Sequence, residues 1–207
     1  FYRGQELPAV NMQYRHYVRW ENQYRQSPDF STQREYWVKQ LGTLETPLEL
    51  PLDFPRPDAA DFSGRTFNAR IGETTTAGLK TLARENRASL NMLLLAIYNV
   101  LLCKISGKIS DQDDICVGIP ANVRGYDGLD QSLGMFTNTL VIRSRPEPGL
   151  TFPDFLNHVK ITCLEALSNQ EYPYEELAKE LGNAGDGFAG MSRNPLFDVV
   201  FVYENGN

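Results

Sequence analysis

Histidine is nearly absent: the 207 residues hold only His16 and His158. Acid–base chemistry near neutral pH relies on imidazole more than on any other side chain. A self-contained acid–base site therefore has little to be built from. His16 lies among Tyr14, Tyr17 and Trp20, which reads as a packing position. His158 stands beside Asn157 and Lys160, off the apolar stripe of its segment, which reads as a solvated one. Cysteine is also scarce. Cys103, Cys116 and Cys163 are odd in number and lack C-x-x-C spacing, which argues against a disulfide framework and a zinc site. Cys103 and Cys163 fall in apolar helical patterns and are expected as small core residues. The carboxylate pairs Asp113-Asp114 and Glu175-Glu176 are adjacent, so their side chains face apart and form no acid–base pair. The glycine-rich stretch from Gly182 to Gly190 carries neither G-x-x-x-x-G-K-S/T nor G-x-G-x-x-G, so it is no phosphate loop.

Positive charge is in deficit as well. Twenty Lys and Arg face 26 Asp and Glu, a net charge of −6, with no basic cluster. That excludes the electrostatic footprint of a nucleic-acid partner. No apolar run is long enough to span a bilayer: Leu90 to Ile105 is interrupted by Asn91, Asn99 and Lys104. The opening Phe1-Tyr2-Arg3-Gly4 has no secretory pattern, so a cytoplasmic protein without a membrane partner is expected. It also lacks an initiator Met, which fits a segment of something longer. What the chain has in quantity is core material, 42% hydrophobic and 11% aromatic residues. The length suits one large domain or one lobe of a bigger one.

Strand-like and helix-like patterns alternate, which predicts a layered α/β lobe. Ser31 reads as a helix cap, followed by Tyr36, Trp37 and Leu41 at helical spacing and Gly42 as a stop. Pro47, Pro51, Pro55 and Pro57 mark an extended connector lying on a surface. Arg65 to Ile71 alternates as a strand does, and Thr74 to Arg87 is helical. Ser89 caps a helix to about Ile105 that Gly107 ends; it is apolar nearly all round and is expected to be fully buried. Asp114 to Ile119 and Phe136 to Arg145 are strands. Phe152, Phe155, Leu156, Val159, Cys163, Ala166 and Leu167 make the clearest amphipathic stripe in the chain. A short helix over Tyr174 to Leu181 and a buried strand over Phe197 to Tyr203 complete the pattern.

Four segments, in order, resemble the later motifs of nonribosomal peptide synthetase condensation domains. Tyr14-Arg15-His16-Tyr17-Val18-Arg19-Trp20 is similar to Y-x-D-F/Y-A-V-W, with His16 in place of the usual Asp. Leu133-Gly134-Met135-Phe136-Thr137-Asn138-Thr139 through Arg143 resembles I/V-G-x-F-V-N-T…R, with Thr137 in place of Val. Asn169-Gln170-Glu171-Tyr172-Pro173-Tyr174-Glu175 resembles H/N-Q-D-x-P-F-E, and Ser192-Arg193-Asn194-Pro195-Leu196-Phe197 matches S-R-N-P-L-F. The Leu50-Pro51-Leu52-Asp53-Phe54-Pro55-Arg56-Pro57 linker and the Asp114-Ile115-Cys116-Val117-Gly118-Ile119-Pro120 strand agree too. The family's H-H-x-x-x-D-G motif, which precedes the first of these segments, is nowhere in the chain.

The resemblance implies a chloramphenicol-acetyltransferase-like fold, a mixed sheet packed by helices, forming the C-terminal half of a V-shaped two-lobed domain. It implies that residues 1–13 are the tail of the N-terminal lobe or the interlobe connector, and 14–207 the C-terminal lobe. The activity implied is peptide-bond formation between carrier-tethered thioesters, with the fragment inactive alone. Implied partners are donor and acceptor peptidyl carrier proteins, the N-terminal lobe and an adjacent adenylation domain. No cofactor is expected to bind directly, the phosphopantetheine arm being brought by the carrier proteins. Rival readings are a non-catalytic carrier-protein interaction module and a free-standing acyltransferase of the same fold. An epimerization domain fits less well, since P-x-x-G-x-G-Y-G is missing.

Asn122, Gly134, Phe136 and Asn138 are the residues expected to line the substrate tunnel; no residue is expected to be catalytic or to bind metal. Asn138 also has a structural reading, an amide tying strand to loop. Gly134 would permit a close backbone approach. Asn122 would offer its amide to the pantetheine or acyl chain, or simply close a turn after Pro120. For Arg124 a surface ion pair is preferred over a phosphate contact. Tyr14, Tyr17, Trp20, Arg143, Gln170, Pro173, Glu175, Arg193, Asn194 and Pro195 are expected in motif or structural roles. Pro173 should fix a corner, Asn194 should close an Asx-type turn, and Arg193 would pair across lobes.

Overall fold

Hydroxyl side chains cap three of the described helices, and proline stands in the first turn of two of them. Residues 12–44, 48–55, 57, 63–107, 114–124, 128–181 and 194–204 are described by a computed structural model. α1 (Tyr14–Tyr24) begins where the backbone N–H of Gln13 donates to Nδ1 of His16 at 3.2 Å. α2 (Pro28–Leu41) begins at Ser27, whose Oγ accepts from the N–H of Phe30, not at Ser31. The Ser27-Pro28 pair is the stronger signal, because proline at the first helical position has no N–H to leave unpaired. α3 (Glu73–Glu85) precedes α4 (Leu90–Ser106), which Ser89 caps as expected and Gly107 ends with φ of 69°. α5 (Phe152–Ser168) is capped by Thr151 and α6 spans Tyr174–Leu181.

A mixed sheet forms the middle layer. β1 (Ile115–Asn122) is central among the described strands, antiparallel to β2 (Thr137–Ser144) and parallel to β3 (Val199–Val200). Ile115 to Gly118 are buried without alternation, the pattern of a strand covered on both faces. Trp37 and Leu41 of α2, Leu93, Leu95 and Ala96 of α4, and Leu156 and Val159 of α5 share one core with β1 and β2. A second, smaller core gathers Tyr17, Val123, Leu129 and Phe136, with Met12 and Trp20 at its edge. Cys103, Cys116 and Cys163 are buried and not in disulfides; burial pushes the Cys116 thiol up to about 12 and the Cys163 thiol up to about 11.

Three further expectations need correction. Arg65 to Ile71 is extended but not a strand, and every residue in it is exposed. Alternation made the pattern, but no partner strand pairs with it among the described residues, and a ladder needs one. α4 is not covered all round: Ile97, Leu101 and Ile105, four residues apart, form an exposed stripe. The last strand shrinks from the expected Phe197–Tyr203 to two residues, and Val200 and Val202 face outward. On α5, Leu167 is likewise exposed although the rest of its stripe is covered. The connector is mostly exposed, with Leu48 as its buried anchor, while Pro47 and Arg56 lie outside the described residues.

Candidate functional site

β2 begins beside the second core, and the chain there brings three of the four motif segments to one place. Tyr14 and Tyr17 from α1, Met135, Thr137 and Asn138 from the start of β2, and Gln170, Glu171, Pro173 and Glu175 from the corner between α5 and α6 border an open groove of about 210 Å³. Glu21, Arg25 and Val123 complete its wall.

Asn138 ties the parts together. Its Nδ2 donates to the carbonyls of Gln170 and Tyr172, each at 2.8 Å. Its Oδ1 accepts from the N–H of Thr139 at 2.9 Å and of Tyr174 at 3.0 Å. Carbonyls only accept and backbone N–H groups only donate, so the amide has one orientation and every donor and acceptor it owns is used. The same corner is held from α2. Gln33 Oε1 accepts from the N–H groups of Glu171 and Tyr172, each at 3.0 Å. Trp37 Nε1 donates to the carbonyl of Asn169 at 2.8 Å. Sequence reading missed Gln33. The available signal was its place four residues before Trp37, which puts both on one face of α2.

Gly134 carries the close approach expected of it. A Cβ there would sit 2.2 Å from Cδ2 of Tyr14, so the tyrosine ring occupies the space a side chain would need. Phe136 does not face the groove but is buried beneath it, edge-on to Tyr14 and Tyr17 at centroid distances of 5.2 and 5.0 Å. Trp20 stacks on Tyr24 and tilts against Tyr17. Asn122 closes a turn, its Oδ1 accepting from the N–H of Arg124 at 3.1 Å, and it does not border the groove. Arg124 makes no ion pair among the described residues. Its Nη1 donates to the carbonyls of Leu129 and Ser132, and its guanidinium lies 4.2 Å from the Phe136 ring centroid. An aromatic face and two converging carbonyls suit a planar cation better than a solvated carboxylate would.

Arg143 lies at the other end of β2 and is structural. It joins the α2 terminus to the sheet through Gln40 O at 2.7 Å, Thr43 Oγ1 at 2.9 Å and Asp114 Oδ2 at 2.5 Å. Pro173 fixes its corner, its carbonyl accepting from Leu177 N–H at 3.2 Å. Asn194 closes the expected Asx-type turn, accepting from Leu196 and Phe197 N–H, and also takes the Tyr174 hydroxyl at 2.6 Å. Pro195 follows it, half-buried. Arg193 and the Gly182–Gly190 loop lie outside the described residues.

The groove's charge is uneven: Glu21, Glu171 and Glu175 against Arg25. Arg25 is gripped by Glu21 at 3.1 Å and Glu176 at 2.9 Å. Burial, and then the nearby Glu21 charge, raise the Glu171 carboxyl above the usual carboxylate range. No imidazole or thiol lines the groove. The arrangement can hold and orient an extended polar ligand, with tyrosine and threonine hydroxyls as hydrogen-bonding groups, but it offers no base of the usual kind.

A family model described as the condensation domain matches residues 1–207. Tyrocidine synthase 3 of Brevibacillus parabrevis is 41% identical over 204 residues, 99% of this chain and 3% of that protein. Bacitracin synthase 1 of Bacillus licheniformis is 41% identical over 204 residues, 99% of this chain and 4% of its own length. This chain therefore spans a small part of the curated relatives it matches. Among solved structures, a four-domain nonribosomal peptide synthetase bound to AMP and glycine superposes with a TM-score of 0.82 at 25% identity, over 96% of this chain and 14% of that one. The X-domain from teicoplanin biosynthesis shares the fold with a TM-score of 0.81 at 21% identity, over 94% of this chain and 43% of that one. No single helix among the described residues is long and apolar enough to cross a membrane.

Proposed function

Because the chain belongs to the condensation-domain family, we propose that it provides one wall of the tunnel in which two carrier-tethered thioesters are joined. In that reaction an acceptor amine attacks the donor thioester carbonyl. A C–N bond forms, the C–S bond breaks, the thiol leaves on the donor's pantetheine arm and the amine gives up a proton. The observation that carries the reading is the convergence of Tyr14, Asn138 and the Gln170–Glu175 corner on one groove.

The role of these residues is positioning, which can supply about 7–11 kcal/mol when both reactants are held in near-attack geometry. Asn138 and Gln33 keep the corner rigid; Tyr14, Met135 and Thr137 present the surface along which an acyl arm lies. Gly134 leaves room for the Tyr14 ring at the groove's wall. The proton has to leave by a group this chain does not place there, since His16 caps α1 and His158 lies on α5, away from the groove. The isolated chain is therefore inactive and needs the lobe that carries the H-H-x-x-x-D-G motif. Donor and acceptor carrier proteins bring the substrates on their phosphopantetheine arms, and an adenylation domain loads them. The setting is cytoplasmic.

The test is product formation from two loaded carrier proteins. The chain alone should give none, and the chain fused behind an N-terminal lobe bearing the motif should form the peptide bond. Turnover by the isolated chain would overturn its dependence on the other lobe. A fused protein that is folded and monomeric, binds loaded carriers and still makes no peptide would favour a docking module, a role the fold equally permits.

A further inference from the structure

We propose that the hollow between the last turn of α2, the end of β2 and α5 binds a phosphate group. It has a volume of about 340 Å³, and none of its lining belongs to the groove described above. Three cations line it, Lys39, Arg143 and Arg145, against the carboxylates of Asp114 and Glu147. Asp114 is already engaged. It takes Arg143 at 2.5 Å, and Arg145 at 2.5 and 3.2 Å. The carbonyls at the end of α2, which would repel an anion, are covered too, since Arg143 donates to Gln40 O at 2.7 Å and Thr43 O at 3.5 Å.

Donors remain after those bonds are made. Arg145 spends Nε and Nη2 on Asp114 and keeps Nη1. Lys39 and the His158 ring border the hollow with no hydrogen-bond or ion-pair partner among the described residues. Guanidinium, ammonium and imidazole groups bordering the hollow from three elements match the several acceptor oxygens of a tetrahedral anion better than the two of a carboxylate. The hollow exceeds the size of a bare phosphate, so a phosphomonoester with a small organic group is accommodated. This inference does not depend on the function proposed for the groove.

The experiment is an NMR titration of the labelled chain, following the Lys39 ammonium and the His158 ring. Inorganic phosphate is the first probe and phosphopantetheine the second, with chloride at matched ionic strength as control. Saturable shifts at both residues are expected with phosphate and not with chloride. Lys39→Ala should weaken binding about tenfold, the worth of one charged hydrogen bond, and His158→Ala should weaken it less, with the fold retained in both. Tighter binding of phosphopantetheine would identify an ester as the source, and equal or weaker binding free phosphate; either supports the site. Shifts that chloride reproduces, that never saturate, or that both variants leave unchanged would overturn it.

Discussion

Asn138 is one half-exposed side chain that fastens a strand to a corner 32 to 36 residues further along. Asn138→Ala leaves two carbonyls and two N–H groups to find new partners. The expected loss is about 2–4 kcal/mol of unfolding free energy by urea titration, less than four separate bonds because they act as a unit. Asn138→Asp separates hydrogen bonding from packing. The carboxylate keeps the two acceptor contacts but turns an oxygen toward the carbonyls of Gln170 and Tyr172. Its ionised form is disfavoured by folding, so its folded pKa lies above the unfolded one. Relative to the parent, this variant should be weakened at pH 7 and should recover as pH falls and the protonated acid regains one donor. Part of this was legible in the sequence: an amide linking strand to loop, and a glycine at 134 admitting a neighbour. Its partners were not, since Gln33 lies 138 residues before the N–H it accepts from and only the fold brings the two together. Asn122 closes a turn, one of the two readings open to it. Arg124 differs from expectation for a related reason: carbonyls close by in the chain hold its guanidinium.

Elements are joined chiefly by packing, and the most buried ionic junction among the described residues is centred on Asp114. Asp114, just before β1, takes Arg143 and Arg145 from β2, and Arg143 reaches on to the last turn of α2. Burial alone would raise the Asp114 carboxyl, but hydrogen bonds and charge from the two arginines outweigh it and hold the group below the usual carboxylate range. A folded pKa below the unfolded one means that the junction's contribution is complete above the unfolded value. It is lost as pH falls through the folded value, in the acid range below about pH 4. Asp114→Asn should therefore cost about 3 kcal/mol at pH 7, since it leaves a largely buried Arg143 without its counter-charge. The gap to the parent should close at low pH, as urea midpoints across a pH series would show. A constant gap would mean that packing, not charge, sets the effect. The helices were legible because caps and stripes are local. The strand expected at Arg65–Ile71 and the cover expected over α4 were not, because both depend on what lies alongside, and alternation or greasiness in one segment does not say whether a partner is there.

At the scale of the whole molecule, the distribution of apolar surface is the informative feature. Met135 borders the groove at 76% exposed, and Leu133, two residues before it, is 93% exposed. Val200 ends the short β3, Val202 follows it, and Ile97, Leu101 and Ile105 line α4, all of them outward. Patches of this kind, when contiguous, are the surfaces by which proteins meet partners. The groove-side residues matter most. They belong to the motif segment that starts β2, so their exposure lies next to the site itself and not on a remote face. In the proposed two-lobed enzyme another lobe would cover them; in the isolated chain only a second copy can. The chain alone should then self-associate as its concentration rises from micromolar to hundreds of micromolar, seen as a growing mass in light scattering. Leu133→Ser with Met135→Ser should return it toward a monomer, while Ile97→Ser with Leu101→Ser on α4 should change association little. If the α4 pair has the larger effect, the sticky surface is the helical layer and the groove's edge stands in water unaided. A parent chain that stays monomeric throughout would mean that neither surface drives contact, and the bare residues beside the groove would then have to be explained by ligand binding alone.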